Sequence, residues 1–143
     1  EEDVNLVKNT YGVTRVESNV KQFFPDMPKI IFESDLVISR SGSSTLNEII
    51  YHGKPSILIP YPHATDDHQY YNARELEKRL ISKIIYNQEL NTQKIFLEML
   101  KILKNKARRK YIAFSHPKLG NLNPCERIYD LIKGDLWKLI KNS

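Results

Sequence analysis

The sequence predicts an α/β fold: a Rossmann-like, doubly wound parallel sheet. Three observations lead there. Short apolar runs at Leu36-Val37-Ile38, Ile57-Leu58-Ile59 and Ile84-Ile85 have the look of strands buried in a parallel sheet. Stretches with helical spacing of apolar residues alternate with those runs. Glycine, proline and small polar residues punctuate the joints between them.

Taken in order, Glu1 to Tyr11 reads as the tail of a helix, with Val4 and Val7 apolar and Gly12 ending it. Asn19 to Phe24 (NVKQFF) alternates enough to predict a strand. Pro25 to Pro28 is a loop, with Pro28 suited to the first position of a short helix through Phe32. The Leu36 strand follows, then the turn Arg40-Ser41-Gly42-Ser43-Ser44. Gly42 there can take backbone angles closed to other residues. Thr45 and Glu48 stand at the T-x-x-E spacing of a capping box, and Leu46, Ile49 and Ile50 share one helical face. Gly53 and Pro55 close that helix before the Ser56–Ile59 strand.

Pro60 and Pro62 stop this second strand, and a polar loop runs to Gln69. Asp66 or Asp67 is placed to cap a helix over about His68 to Leu80, with Tyr71, Leu76 and Leu80 as its apolar stripe. Ser82 to Tyr86 predicts a third strand. Thr92 opens a long amphipathic helix with Ile95, Leu97, Met99, Leu100, Ile102 and Leu103 as apolar positions. A further helix covers Arg108 to Phe114, a loop His116 to Pro124, and a last helical pattern Glu126 to Ile140.

Composition narrows the function classes. The 143 residues, 41% of them hydrophobic, suffice for one compact core. No run nears the ~18 apolar residues of a membrane span, and the acidic start Glu1-Glu2-Asp3 is no signal peptide. With no initiator methionine, the sequence reads as a fragment or a processed product. The lone Cys125 excludes an internal disulfide framework; it suits a reducing compartment and reads as a small packing residue. The formal charge of +5 owes much to Lys101, Lys104, Lys106, Arg108, Arg109 and Lys110. A solvated helix face is the plainer reading, and an anionic membrane surface the functional alternative. No nucleic-acid-binding motif accompanies the charge, so nucleic acid is not expected as a partner.

The turn after the first apolar run carries the chemistry. A small-residue turn between strand and helix exposes the first helical N–H groups at the carboxyl end of the sheet, where ligands bind in open α/β folds. Ser41, Ser43, Ser44 and Thr45 add hydroxyls, and Arg40 adds a positive charge. That makes a site for phosphate or another anion. The same residues also suit an ordinary capped turn, and Glu48 suits either a capping box or a ligand. His63, Asp66, Asp67 and His68 gather in one loop, but their spacing fits no defined metal-ligand set, so no metal is expected. No Ser–His–Asp or Cys–His nucleophile arrangement is visible.

Three separated motifs resemble one family. Asp35 to Thr45 with Glu48 and Gly53-Lys54-Pro55, then Pro60 to Gln69 with Asn72-Ala73, and upstream Phe23-Phe24-Pro25-Asp26-Met27, are similar in kind and order to the carboxyl-terminal half of the MurG family. The resemblance covers Val4 to about Tyr86 well and the later helices loosely. It implies a glycosyltransferase of the two-domain GT-B type, which moves N-acetylglucosamine from UDP-N-acetylglucosamine onto undecaprenyl-pyrophosphoryl-MurNAc-pentapeptide, converting lipid I to lipid II for peptidoglycan. It implies no nicotinamide or flavin cofactor, and a peripheral protein on the cytoplasmic face of the bacterial inner membrane.

By the same resemblance, residues 1–143 would form a single donor domain. Ser43, Ser44 and Thr45 would face the UDP diphosphate with Arg40 beside them, and Glu48 would take the ribose hydroxyls. Phe24 would set its backbone against the uracil with Met27 nearby. His68 and Gln69 would meet the sugar, and Asn72 would sit one turn further on. No catalytic group is assigned, because the family's candidates lie mostly in the amino-terminal domain that also holds lipid I. The family's opening strand and G-G-S-x-G loop are not in the sequence, so the chain is expected to be incomplete at its amino terminus and inactive in transfer on its own. A UDP-sugar-binding subunit of a split glycosyltransferase and a non-catalytic remnant are the alternative readings.

Overall fold

The computed structural model describes residues 2–14, 16–62 and 67–120, with the backbone alone for residues 2 and 114–120. The chain divides into two compact units, Glu1–Ile30 and Ile31–Ser143.

The first unit holds α1 (Glu2–Gly12) and most of α2 (Met27–Glu33). The side chain of Asp26 accepts the Lys29 N–H at 3.1 Å, as an N-cap does, so α2 starts at Met27 and Pro28 is its second residue rather than its first. Residues 19–24 form no strand. Alternation supplies only the side-chain half of a strand; the other half is a partner ladder, and among the described residues none pairs with this stretch.

The second unit is built on three parallel strands, β1 (Val37–Ser39), β2 (Ser56–Leu58) and β3 (Ser82–Ile84), in the order β1-β2-β3. Their register aligns Val37 with Ser56 and Ser82, and Ser39 with Leu58 and Ile84. The predicted parallel α/β architecture is therefore present. The Ser56 and Ser82 hydroxyls, both fully buried, satisfy each other at 2.6 Å across the ladder. Between the strands run α3 (Ser43–Tyr51) and α4 (His68–Lys78), followed by α5 (Thr92–Lys104) and α6 (Lys106–Gly120).

Alternation along the strands feeds two cores. Leu58 and Ile84 pack with Leu46 and Ile49 of α3, Ala73 and Leu76 of α4, and Ile112 of α6. Ile57 and Ile85 point the opposite way and pack with Ile102, Ile95 and Met99 of α5. β2, between its neighbours, is buried throughout. β1 lies at an edge of the described sheet, and Ile38 is 42% exposed, so only β2 fits the expectation of a strand buried on both faces.

Helix ends follow local chemistry closely. α3 ends in a Schellman motif: Gly53, with φ 57°, donates to Ile50 O and Lys54 donates to Ile49 O. α4 ends the same way, with Leu80 N–H on Glu77 O and Ile81 N–H on Leu76 O, but the left-handed residue is Leu80 at φ 60°. The buried stripe of α4 is thus Ala73 and Leu76; Tyr71 and Leu80 are 65% and 60% exposed. Asp67 occupies the N-cap position of α4 in a left-handed conformation and makes no side-chain cap bond, because a cap reaches the first-turn N–H groups from extended backbone. In α5, capped by Asn91 through Lys94 N–H, Leu97 is 46% exposed while Glu98 is buried. α6 runs on through Pro117 to Gly120, where a loop was expected; one proline removes a single bond from a helix already propagating. Cys125 and the expected helix Glu126 to Ile140 lie outside the described residues.

Candidate functional site

The site forms where β1 passes into α3. Ser41 is completely buried, and its hydroxyl donates to the main-chain oxygen of Gln69 at 2.7 Å, tying the turn to the first turn of α4. Gly42 follows as the N-cap, in ordinary extended backbone (φ −65°, ψ 143°), with no side-chain cap bond. The first helical bond runs from Leu46 N–H to Gly42 O at 3.0 Å. The N–H groups of Ser43, Ser44 and Thr45 precede that bond and are left at the positive end of the helix dipole.

Two sequence expectations change here. Thr45 is the third residue of α3, not its cap, so the capping box does not form. The buried anchor at Ser41 sets the turn earlier than the local Thr-x-x-Glu pattern does. Glu48 is thereby released from capping. It lies one turn into α3, half-buried, and no hydrogen bond to its side chain is made among the described residues.

Arg40 is committed to the protein itself. Its Nη1 donates to Asn87 Oδ1 at 2.9 Å and lies 3.2 Å and 3.3 Å from the carbonyl oxygens of Ile59 and Pro60. Its guanidinium also stacks on Tyr61, 5.5 Å from the ring centre. One side chain from the end of β1 so fastens the segments leaving β2 and β3. Gln69 is tied in as well: its Oε1 accepts the Tyr61 N–H at 3.0 Å, which leaves the amide NH₂ for another partner.

His68 is the exposed first residue of α4, and Asn72 lies half-buried one turn later. Arg40, Ser43, Ser44, Thr45, Glu48, His68, Gln69 and Asn72 thus sit on β1, α3, α4 and the joints between them, all in the second unit. Phe24 and Met27 belong to the first unit, where Lys21 Nζ lies 5.6 Å over the Phe24 ring and Met27 opens α2, 40% exposed. His63 and Asp66, of the polar loop cluster, lie outside the described residues.

Sequence reasoning missed Ser41 as an anchor and Tyr61, Tyr70 and Tyr86 as the walls of a cleft at the same end of the sheet. Tyr70 and Tyr86 lie 6.1 Å apart, and Arg74 bonds the Tyr70 hydroxyl at 2.8 Å. Burial, with the neighbouring Tyr70 phenol next in size, raises the Tyr86 phenol above its usual range. These residues come from three separate segments, so no local spacing announces them.

Among known proteins, the family model of the glycosyltransferase family 28 C-terminal domain matches residues 1–118. The chain belongs to this family. Within it, the chain is 36% identical over 133 residues to the UDP-N-acetylglucosamine–N-acetylmuramyl-(pentapeptide) pyrophosphoryl-undecaprenol N-acetylglucosamine transferase of Acetivibrio thermocellus, covering 93% of this chain and 36% of that protein. The protein of the same name from Agrobacterium fabrum is 37% identical over 132 residues, covering 92% and 35%. The crystal structure of Acinetobacter baumannii MurG superposes with a TM-score of 0.78 at 27% identity, covering 94% of this family 28 chain and 41% of its own. The MurG-type carboxyl-terminal domain and its Rossmann-like fold are thus shown by sequence and structure together. The chain spans about a third of the length of the curated relatives it matches.

Proposed function

We propose that this chain is the donor-binding half of an N-acetylglucosaminyltransferase that takes N-acetylglucosamine from UDP-N-acetylglucosamine to lipid I, forming lipid II for peptidoglycan. One observation carries the reading. At the β1–α3 turn, three N–H groups without intrahelical partners and, one helical turn on, a carboxylate with no bond among the described residues stand on the same short helix. Anion and polyol are what such a pair suits. The N–H groups of Ser43, Ser44 and Thr45 donate to the diphosphate, and Glu48 accepts from the ribose hydroxyls. Supporting it, the relatives that match over most of the chain are named for transfer of that sugar.

On this reading the domain supplies binding and orientation. His68, the Gln69 NH₂ and Asn72 address the sugar, and Arg40 holds the loops around it. Lipid I is held by a separate amino-terminal domain, and the whole works as a peripheral protein on the cytoplasmic face of the inner membrane. No helix among the described residues is long and apolar enough to cross a membrane. Attraction of the basic α5–α6 region to anionic lipid suits such a location, although Lys101 pairs with Glu98 and Arg108 reaches the Leu80 and Ser82 carbonyls.

Calorimetric titration of the chain with UDP-N-acetylglucosamine tests the proposal. Binding is expected to weaken about 10- to 100-fold in Glu48→Ala, the loss of hydrogen bonds to a charged acceptor. Equal affinity of the two proteins would overturn the assignment of Glu48. No binding by a folded chain would overturn the donor role of these residues.

A further inference from the structure

Two consecutive residues at the end of β1 take hold of both oxygens of Gln69. The Ser41 hydroxyl, completely buried, donates to the Gln69 main-chain oxygen at 2.7 Å. Arg40 reaches the Gln69 side chain through one peptide unit. Its Nη1 lies 3.3 Å from the Pro60 carbonyl oxygen, and the N–H of that same peptide, on Tyr61, donates to Gln69 Oε1 at 3.0 Å. A backbone N–H can only donate, so the carboxamide has one orientation, with Oε1 taken and the NH₂ left over. Asp67, at the N-cap of α4, makes no side-chain cap bond. The ties to Gln69 place the first turn of that helix instead.

We propose that Ser41 is a positioning residue: without meeting the ligand, it fixes the Gln69 NH₂ relative to the open end of α3. The inference rests on the donor reading above. Ser41 directly precedes Gly42, the N-cap of α3, so one buried bond joins the turn assigned to the diphosphate to the residue assigned to the sugar. Opening that bond would leave two polar groups unpaired away from water, which penalises other placements of the start of α4. The Arg40 route adds the second constraint, on the rotation of the carboxamide. A carboxamide held this way offers donors alone and selects an acceptor oxygen on the ligand. One free to turn would accept as readily as donate, and would discriminate less. The hydroxyl of Ser41 thereby governs the sugar's share of the affinity, and the N–H groups of residues 43–45 keep the share of the diphosphate.

The test is calorimetric titration of the parent chain, Ser41→Ala, Gln69→Ala and the double variant with UDP-N-acetylglucosamine and with UDP, which lacks the sugar. Ser41→Ala is expected to lose about three- to tenfold in affinity for the nucleotide sugar and less than about twofold for UDP, the loss of one ligand hydrogen bond. Gln69→Ala is expected to lose as much, and adding Ser41→Ala to it to cost less than about twofold more, because the two act as one. Ser41→Cys keeps the volume and a weak donor; it should fall between parent and alanine variant, and it keeps the test open if Ser41→Ala misfolds. Equal losses for both ligands in the Ser41 variants would overturn the inference and leave the hydroxyl a brace of the turn. Additive losses in the double variant would overturn it too, with the donor site still standing. A folded parent that binds neither ligand would overturn the donor reading, and this inference with it.

Discussion

The Nη1 of Arg40 donates to Oδ1 of Asn87 at 2.9 Å, joining residues 47 apart in sequence. Together with the Ile59 and Pro60 carbonyls, this gives the end of β1 a hold on the segments that leave β2 and β3. All three bonds leave from one nitrogen of a planar guanidinium that also lies on the Tyr61 ring, a reach and stacking that a lysine ammonium does not reproduce. Arg40→Lys is therefore expected to behave much like Arg40→Ala, each lowering unfolding free energy by about 1–2 kcal/mol. Urea midpoints check it. Full recovery in the lysine variant would mean that charge alone matters at this position.

The two Schellman caps make opposite predictions. Gly53 holds φ 57° without a side chain, whereas Leu80 holds φ 60° with one that is 60% exposed. A non-glycine residue there costs roughly 1–2 kcal/mol. Gly53→Ala should lower stability by about 1 kcal/mol. Leu80→Gly should raise it by up to about 1 kcal/mol, after the loss of chain entropy is set against the relief. Thermal melts of the two variants should move in opposite directions.

Gly42 does not serve the fold in the same way. Its backbone is extended, and a Cβ built there meets nothing within 4 Å. At an N-cap glycine is preferred to alanine, and it also leaves room in front of the α3 N–H groups. Gly42→Ala is expected to lower stability by under about 1 kcal/mol while weakening UDP-N-acetylglucosamine. Loss of stability with unchanged affinity would show that the residue serves the turn and not a ligand.

Glu77 sets an acid limit on stability. Burial pushes its carboxyl up, but the Lys83 hydrogen bond, the Ile84 N–H and the Lys83 and Arg74 charges outweigh it and hold the group below its ordinary 4.5. A carboxyl lowered in the folded state contributes in full above the unfolded value, and the contribution is lost as pH falls through 4.5 and past the folded value. Stability against urea should drop over that window in the parent protein, and more shallowly in Glu77→Gln. Parallel curves for the two would contradict it.

Much of the second unit was legible in the sequence because its signals are local. The Gly53 cap, the three apolar strands and the Asn91-to-Lys94 start of α5 all depend on near neighbours. The features that escaped depend on distant ones. Thr45 and Glu48 look like a capping box until Ser41, anchored on Gln69, starts the helix at Ser43. NVKQFF looks like a strand until a partner is sought. Leu80 has helical spacing, yet α4 stops at Lys78 and turns it outward. For the candidate site, the strand–turn–helix joint was readable from motif and resemblance. Arg40's commitment to the β2 and β3 loops was not, since its partners lie 19 to 47 residues away.

Everything proposed for the donor turns on one contact, the open end of α3 against the diphosphate. The most direct measurement follows the backbone amide signals of Ser43, Ser44 and Thr45 while UDP-N-acetylglucosamine is added to ¹⁵N-labelled protein. These three are expected to shift most, saturably, with Glu48→Ala moving the same signals only at higher ligand concentration. Shifts that leave residues 43–45 untouched in a folded chain would contradict it.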